Sequence, residues 1–299
     1  MGGRAAVDSS PPEGNVMSGP LLEAVGVSIQ FGGLKALSDF NLAIHKGDLQ
    51  GLIGPNGAGK TTAFNVLTGV YQPTQGEVRV SGQRVNGRLP HQINHLGLAR
   101  TFQNIRLFRA LTALDNVKVA CRGQGALHSE GVGAGAKFRA AVRNYGDWWR
   151  ALMLTPGFQA EERELTRQAE HLLEVMGLAH RRNEEARNLP YGEQRRLEIA
   201  RALGTRPKVL LLDEPAAGMN TREKADLMVL IRKLRDEFDL GILVIEHDMK
   251  LVMGICEKIT VLDHGETIAR GAPAEVRNDR KVIEAYLGDS YLESHGGAA

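Results

Sequence analysis

The stretch Gly54-Pro-Asn-Gly-Ala-Gly59-Lys60-Thr61 decides how this sequence folds, because it fits the pattern G-x-x-x-x-G-K-[ST]. Its glycines allow successive backbone N–H groups to turn inward as an anion-binding nest, and a following helix points its positive end there. Chance gives roughly 0.01 matches in a chain of this composition. The apolar run Leu49-Ile53 precedes the loop, and helical spacing over Thr61-Leu67 follows it. The stretch therefore predicts a strand–loop–helix unit that binds the phosphates of a nucleoside triphosphate.

The members of this loop have different expected tasks. The ammonium group of Lys60 is expected to reach the β- and γ-phosphates, and the hydroxyl of Thr61 is expected to ligate Mg²⁺. The remaining predicted nucleotide-binding residues of the loop and its following turn are Gly54, Pro55, Asn56, Gly57, Ala58, Gly59 and Thr62.

Charge and composition exclude several functional classes. The 299 residues carry 37 Lys and Arg against 35 Asp and Glu, so there is no broad basic field for nucleic-acid binding. Cys121 and Cys256 lie far apart without metal-ligand spacing, which favours a reducing compartment. No stretch approaches the roughly 18 consecutive apolar residues that a membrane span needs. A fibre, a disulfide scaffold and a membrane span are therefore excluded.

Hydrophobic patterning divides the chain into an α/β core and a helical insertion. Short apolar runs alternate with amphipathic stretches of helix length, which indicates a parallel sheet covered on both faces. We predict one domain over residues 20–288, with the core at 20–102 and 188–288 and the insertion at 103–187. The predicted strands are Leu21-Ile29, Leu37-Ile44, Leu49-Ile53, Val209-Leu212, Ile242-Ile245 and Ile259-Leu262. The predicted helices are Phe138-Leu152 and Glu161-Met176 in the insertion, which glycine-rich linkers such as Gly131-Gly135 separate, and Thr221-Glu237 and Met249-Cys256 in the core.

Both ends of the chain differ from the domain in composition. Residues 1–19 are small, polar and rich in Gly, Ser and Pro, and they lack the apolar segment of a secretory signal. We predict a disordered lead there, with Met17 a candidate start, and a loose tail over residues 289–299.

Catalytic groups are expected beside the phosphates at one edge of the sheet. Asp213 and Glu214 end a buried run, and ligands of open α/β sheets bind at the carboxyl ends of strands. Asp213 is expected to hold the metal through water, and Glu214 to polarise the attacking water as general base. His247 follows the next buried strand and is a predicted γ-phosphate contact. The amide of Gln103, where the insertion begins, is expected to ligate Mg²⁺ or water.

In this order the motifs resemble those of the ATP-binding subunits of ABC transporters, over nearly all of residues 20–288. The resemblance implies a P-loop NTPase fold of the α/β class with a RecA-like parallel-sheet core, an N-terminal antiparallel β subdomain and an inserted α-helical subdomain. It makes Phe31 the aromatic residue that stacks on adenine, with an ordinary core position as the alternative. The residues of the signature, which faces the ATP of a partner subunit, are Leu189, Pro190, Tyr191, Gly192, Glu193 and Gln194.

The residues of four motifs narrow this resemblance to one group of ABC transporters. The stretches 189–201, 213–220, 245–249 and 285–288 look like those of branched-chain amino acid importers, in the ATPase subunit with the longer helical region. That likeness implies ATP and Mg²⁺ as cofactors and a second ATPase subunit, a paralogue, paired head to tail. It also implies two transmembrane permeases, indirect contact with a periplasmic solute-binding protein, no nucleic acid, and a place on the cytoplasmic face of the inner membrane.

The signature departs from the general form Leu-Ser-Gly-Gly-Gln. Here Pro190, Tyr191 and Glu193 replace the serine, the first glycine and the glutamine. Since Pro190 has neither a hydroxyl nor an N–H, its contact with the partner's γ-phosphate is lost. The next loop, Ala217-Asn220, also ends in Asn where Asp is usual. The sequence therefore leaves open whether the composite site hydrolyses ATP at full rate.

Two apolar segments have two interpretations each. The segment Asn104-Phe108 is apolar enough to line a groove for a permease, and packing of its apolar side chains inside the domain is an equal alternative. Trp148 and Trp149 favour core packing of the insertion over a membrane or partner contact.

Three other functions compete with amino acid import. A lipopolysaccharide-export ATPase is similar in architecture, but its signature usually retains Ser-Gly-Gly. A non-transport ABC ATPase acting on DNA or ribosomes generally has tandem nucleotide domains or long coiled coils, and this sequence has one phosphate loop and no sustained heptad array. A P-loop kinase gives no reason for the signature or for His247.

Overall fold

The structure is a computed structural model that describes residues 19–125 and 156–287. Several predicted features lie outside the described residues. They are residues 1–18 of the lead, the tail at 289–299, the linker Gly131-Gly135, the helix predicted at Phe138-Leu152, and Trp148 and Trp149.

Strands and helices alternate along most of the described chain. The strands are β1 (Leu22–Phe31), β2 (Leu34–Ile44), β3 (Leu49–Ile53), β4 (Gln75–Val80), β5 (Gln83–Arg84), β6 (Leu98–Arg100), β7 (Val209–Asp213), β8 (Gly241–Ile245), β9 (Lys258–Asp263) and β10 (Glu266–Gly271). The helices are α1 (Lys60–Leu67), α2 (Pro90–His95), α3 (Ala113–Gly125), α4 (Pro156–Val175), α5 (Tyr191–Gly204), α6 (Thr221–Glu237), α7 (Met249–Ile255), α8 (Pro273–Asn278) and α9 (Arg280–Leu287).

Two sheets form the framework. The first is antiparallel in the order β2-β1-β4-β5, and the second has the order β10-β9-β3-β8-β7-β6. In the second sheet all neighbours are parallel except β9 and β10. The parallel core and the N-terminal antiparallel subdomain that the resemblance implied are therefore confirmed.

The central strands of the parallel sheet end at one edge, where three loops begin. Every residue of β3, β7 and β8 is buried, as expected for parallel strands with both faces covered. Asp213, the last residue of β7, pairs with Ile245, the last residue of β8. The residues that follow β3, β7 and β8 therefore emerge together at the carboxyl edge of the sheet.

The helical region packs as a layer of α3, α4 and α5. Val117, Leu173 and Leu203, one from each helix, belong to a single buried cluster that continues into the core. The sequence patterning missed α3, although the hydroxyl of Thr112 accepts a hydrogen bond from the Asp115 N–H at 3.0 Å, as an N-terminal cap does. Helix α4 begins at Pro156, five residues before the predicted start, since proline suits a first turn.

Two capped helices fix the loops that follow the catalytic edge. Asn220 Oδ1 accepts from the Glu223 N–H at 3.0 Å, and the Asn220 N–H donates back to Glu223 Oε2 at 2.9 Å. Asn caps a helix as well as Asp does, which explains how the chain accommodates Asn at the end of Ala217-Asn220. Asp248 Oδ1 caps α7 by accepting from Lys250 N and Leu251 N.

Candidate active site

The phosphate loop connects β3 to α1, as predicted, and its shape depends on the main chain. Gly54 has a φ of 151°, and a Cβ there would overlap the carbonyl oxygen of Leu262. Gly59 has a φ of 98°, and a Cβ there would lie 2.8 Å from the carbonyl oxygen of Ala36. Both positions exclude a side chain, so the loop closes tightly between β2 and β9.

Lys60 lies folded into this loop. Its side chain is buried, and its Nζ donates to the carbonyl oxygens of Gly54 at 2.7 Å and Pro55 at 2.8 Å. Burial lowers the pKa of Lys60, and the negative charge of Glu214 opposes this shift. A cation is thus held over the loop, on the side where the predicted general base lies.

An open, polar cavity of about 610 Å³ borders the loop on its outer side. The loop contributes Pro55, Asn56, Gly57 and Ala58 to its lining, and α9 contributes Lys281 and Glu284. The C-terminal helix therefore forms part of the wall beside the phosphate loop.

Asp213, at the end of β7, is held by a buried arginine that the sequence analysis did not identify. Arg100 Nη2 donates to Asp213 Oδ2 at 2.6 Å, and Arg100 Nη1 donates to Asn65 Oδ1 at 2.7 Å. Asn65 lies four residues after Thr61 on α1, so both side chains belong to the same face of that helix. The Thr61 face of α1 is thereby tied to Asp213.

The structure brings Gln103, Glu214 and His247 together at the edge of the sheet. Gln103 Nε2 donates to Glu214 Oε2 at 2.9 Å, and His247 Nδ1 lies 3.9 Å from the same oxygen. Glu214 has a φ of 45°, a left-handed conformation that is uncommon for non-glycine residues. Its N–H donates to the carbonyl oxygen of Ile245 at 2.9 Å, which anchors this strained turn to β8.

A second, buried carboxylate lies behind His247 and was not predicted. Glu246 is 1% exposed, and its Oε1 accepts from the Ala216 N–H at 2.8 Å. Its Oε2 lies 3.8 Å from His247 Nδ1. Burial raises the pKa of Glu246, and the hydrogen bond from Ala216 opposes the shift. The imidazole therefore lies between two acidic side chains.

Two charged residues of α5 form a buried ion pair behind Gln103. Arg195 and Glu198 are 0% and 2% exposed, and Arg195 Nη1 lies 2.9 Å from Glu198 Oε2. Burial raises the pKa of Glu198, and the charge of Arg195 opposes this shift. One signal in the sequence could have revealed this pair. Arg195 and Glu198 have opposite charges and lie three residues apart in a helix, among neighbours that are buried.

Phe31 lies at the end of β1 and is 45% exposed, so the alternative of a core position does not fit. Its ring meets that of Tyr71 edge to face, with centroids 5.2 Å apart. An exposed aromatic face is therefore available on the hairpin, as stacking on a base requires.

The signature segment starts α5 and contacts the loop Ala217-Asn220. Pro190 precedes the first turn, and Tyr191 is 45% exposed. A Cβ on Gly218 would lie 3.2 Å from Tyr191 Cε1, so the ring packs closely on this loop. The other members are held within the subdomain: Gln194 Nε2 donates to the Leu189 carbonyl oxygen at 2.7 Å, Glu193 pairs with Arg181 at 3.2 Å, and Gly192 is buried.

Oxygen donors suitable for a magnesium ion are available near the phosphate loop. The set consists of the Thr61 hydroxyl, the Asp213 carboxylate and the Gln103 amide. Within residues 19–125 and 156–287, no group of three or more His, Cys, Asp or Glu side chains could hold a metal ion. Mg²⁺ prefers few protein oxygens and completes its shell with water and substrate phosphates, so the donors fit this ion.

The described helices also bear on the relation to a membrane. None of those in the two described stretches is at once long and apolar enough to cross a bilayer.

Two family models match the sequence. The model described as ABC transporter matches residues 37–217. The model described as Branched-chain amino acid ATP-binding cassette transporter matches residues 266–291, which include α8 and α9.

The chain is similar over its length to curated ATP-binding proteins. It is 45% identical to the high-affinity branched-chain amino acid transport ATP-binding protein BraF of Pseudomonas aeruginosa and 44% identical to LivG of Escherichia coli. Each alignment covers 92% of this chain and 100% of the relative. The lipopolysaccharide export system ATP-binding protein LptB of Haemophilus influenzae is 31% identical, over 91% of this chain and 98% of LptB.

Solved structures agree with this similarity. The ADP conformation of MJ1267, an ATP-binding cassette of an ABC transporter, superposes with a TM-score of 0.72 at 28% identity. The superposition covers 90% of this chain and 99% of MJ1267. The chain therefore belongs to the family of ABC transporter ATP-binding proteins, which are ATPases that power transport.

Proposed function

We propose that this ATPase powers the import of branched-chain amino acids. The observation that carries the proposal is similarity over the whole length of BraF and LivG, both named for branched-chain amino acid transport. The separate match at residues 266–291 supports it, because the matching model is described as a branched-chain amino acid transporter and the segment lies outside residues 37–217, which the ABC transporter model matches. LptB is a more distant relative, which disfavours lipopolysaccharide export as the alternative.

We assign the catalytic roles by geometry. Glu214 is the general base that polarises the attacking water, since it follows β7 at the carboxyl edge of the parallel sheet and its charge acts on Lys60. Gln103 orients this carboxylate through the 2.9 Å hydrogen bond, and His247 contacts the γ-phosphate from the other side. Lys60 leaves the carbonyl oxygens of its loop for the β- and γ-phosphates when ATP enters.

Thr61, Asp213 and Gln103 are the residues that would hold Mg²⁺. When bound, the ion supplies charge neutralisation between the β- and γ-phosphates. Arg100 keeps Asp213 in place for this task through the 2.6 Å ion pair.

A composite site requires a second ATPase subunit, which we propose to be a paralogue paired head to tail. Tyr191, at the start of α5, is 45% exposed, so a neighbouring subunit can contact it. This exposure supports the arrangement. Leu189–Gln194 would then cap the partner's ATP. Phe31 is free to stack on adenine in the chain's own site.

Two permeases are the proposed membrane partners, and they place the chain on the cytoplasmic face of the inner membrane, with a periplasmic solute-binding protein as an indirect partner. The segment Asn104-Phe108 was expected either to line a groove for a permease or to pack inside the domain, and each interpretation fits one of its residues. Phe108 is 50% exposed and is available to a permease, whereas Leu107 packs against the core cluster.

Uptake of labelled leucine tests the substrate. A strain that lacks this gene is expected to lose high-affinity leucine uptake and to regain it with the wild-type chain but not with Glu214→Gln. Uptake of an acidic amino acid serves as control and is expected to stay unchanged. Purification of the tagged chain from membranes is expected to recover two permeases and a second ATPase. Unaltered leucine uptake in the deletion strain, with defective lipopolysaccharide export, would favour the alternative.

A further inference from the structure

The buried pair Arg195 and Glu198 holds main chain on both sides of Gln103. Arg195 donates to the carbonyl oxygens of Phe102 at 2.6 Å and Gln103 at 2.8 Å. Glu198 Oε1 accepts from the N–H groups of Phe102 and Arg106, both at 3.4 Å. The segment 102–106 is therefore fixed at its two ends by two side chains of one helix.

The same guanidinium reaches the residue that carries the predicted base. Arg195 Nη2 lies 3.4 Å from the carbonyl oxygen of Glu214, whose φ of 45° needs support from its surroundings. Arg195 thus contacts the backbones of Gln103 and Glu214, and the side chains of these two residues meet at 2.9 Å. One planar group with several donors sets the relative position of both backbones.

Stability alone gives a weak reason for this pair. Burying two charges costs several kcal/mol each, and apolar replacements of similar volume are often neutral or stabilising. Arg195 and Glu198 lie in the second turn of α5, the helix that begins with the signature residue Tyr191. The contacts therefore join the helix that carries the signature, which in the proposed function faces the nucleotide of a partner subunit, to Gln103 and Glu214, which face the nucleotide of the chain's own site.

We propose that Arg195 and Glu198 are positioning residues for hydrolysis, which clamp the segment 102–106 and the Glu214 backbone to the signature helix. A movement of α5 is then transmitted directly to Gln103 and Glu214. The proposal deepens the proposed function, since it rests on the assignment of Glu214 and Gln103 to ATP hydrolysis.

The double variant Arg195→Met/Glu198→Leu separates positioning from stability. It removes both charges together and leaves no unpaired ion in the core. It also takes hydrogen-bond partners from three carbonyl oxygens and two N–H groups, so the melting temperature is expected to fall by several degrees while the fold is retained. ATP affinity, measured by calorimetry on the full chain, is expected to change less than about threefold, because the phosphate loop is untouched. The turnover number of the assembled transporter is expected to fall about 10- to 100-fold, as a displacement near 1 Å produces. A fall in turnover with little change in ATP affinity is the result that a positioning role predicts.

Two further variants keep the proposal testable if the double variant does not fold. Arg195→Lys retains the charge but cannot serve three carbonyl oxygens in fixed geometry, so turnover is expected to fall at least tenfold with native melting. Arg196→Met removes the neighbouring arginine, whose Nη1 lies 3.5 Å from the Met176 carbonyl oxygen, and is expected to leave turnover within about twofold. Turnover near wild type in a folded double variant or in Arg195→Lys overturns the clamp.

Glu214→Gln, measured in the same assay, separates this proposal from the proposed function. If Glu214→Gln abolishes turnover while Arg195→Lys does not, the clamp is wrong and the catalytic assignment stands. If Glu214→Gln retains full turnover, the assignment on which the clamp rests is wrong.

Discussion

The two halves of the candidate site are built in different ways. The phosphate loop is made by main chain within eight consecutive residues, and its shape follows from two glycines that tolerate no Cβ. The hydrolysis edge is made by side chains that come from four separate segments, around residues 100–103, 195–198, 213–214 and 246–247. The residues of the loop are therefore contiguous, although Ala36 of β2 and Leu262 of β9 close in on its glycines, whereas the residues of the edge come together only after the sheet and the helical layer have packed.

This difference teaches where binding and chemistry can be separated. Changes at the edge remove or displace single groups and leave the anion-binding loop unaltered, so they are expected to lower turnover and not affinity. Changes in the loop alter the place where phosphates bind, so they are expected to lower affinity first. The predictions below test this separation.

The largest expected effect is that of Glu214→Gln. The amide oxygen of glutamine can still accept the hydrogen bond from Gln103, so the turn after β7 is expected to persist. Loss of the general base is expected to lower turnover about 10²- to 10⁴-fold while ATP affinity stays near wild type. Steady-state ATPase assays and calorimetry on the full chain measure the two quantities. Glu237→Gln, an exposed carboxylate of α6, is the matched control and should leave both unchanged.

A comparable loss of affinity in Glu214→Gln would contradict the separation between edge and loop. It would mean that the carboxylate takes part in holding the nucleotide, for example through its charge on Lys60.

The same contrast explains what the sequence could predict. The phosphate loop was found because its whole chemistry is contiguous, and Asp213 and Glu214 were found because they end an apolar run. Arg100, Arg195 and Glu198 were missed, since each is charged in the sequence like many surface residues, and its side chain is covered only by contacts with distant segments. Glu246 was missed for the same reason, although it stands next to His247.

The sequence predicted the positions of those strands that are buried on both faces. The central strands β3, β7 and β8 are buried on both faces and appear as short apolar runs, so their places were predicted. Helix α3 buries Ala113, Val117 and Cys121 at intervals of four residues, a short stripe that the sequence analysis missed together with the cap at Thr112. The short strands β5 and β6 depend on pairing with β4 and β7, which no local pattern reveals.

Lys60→Met tests the loop side of the comparison. Methionine fills much of the same space without a charge, and burial already lowers the pKa of Lys60, so the melting temperature is expected to be equal or higher. ATP affinity is expected to fall about 10- to 100-fold, because a charge-assisted hydrogen bond to the phosphates is lost. Calorimetry with ATP measures this loss. Lys46→Met, an exposed lysine that pairs with Asp239, is the control. Unchanged affinity in Lys60→Met would show that the loop binds by main chain alone.

The smallest expected effect lies between the two halves, at the contact of Tyr191 with Gly218. Gly218→Ala places a Cβ 3.2 Å from the Tyr191 ring at a φ of 74°, so both strain and crowding are expected. Because the ring is 45% exposed, it can move aside, and turnover of the assembled transporter is expected to fall about two- to fivefold.

Tyr191→Gly restores the glycine of the general signature and removes the crowding, so the double variant is expected to recover part of this loss. Tyr191→Phe retains the ring and should give no recovery. A thermodynamic cycle of turnover measures the coupling. Strictly additive effects would show that the signature tyrosine and this loop act independently.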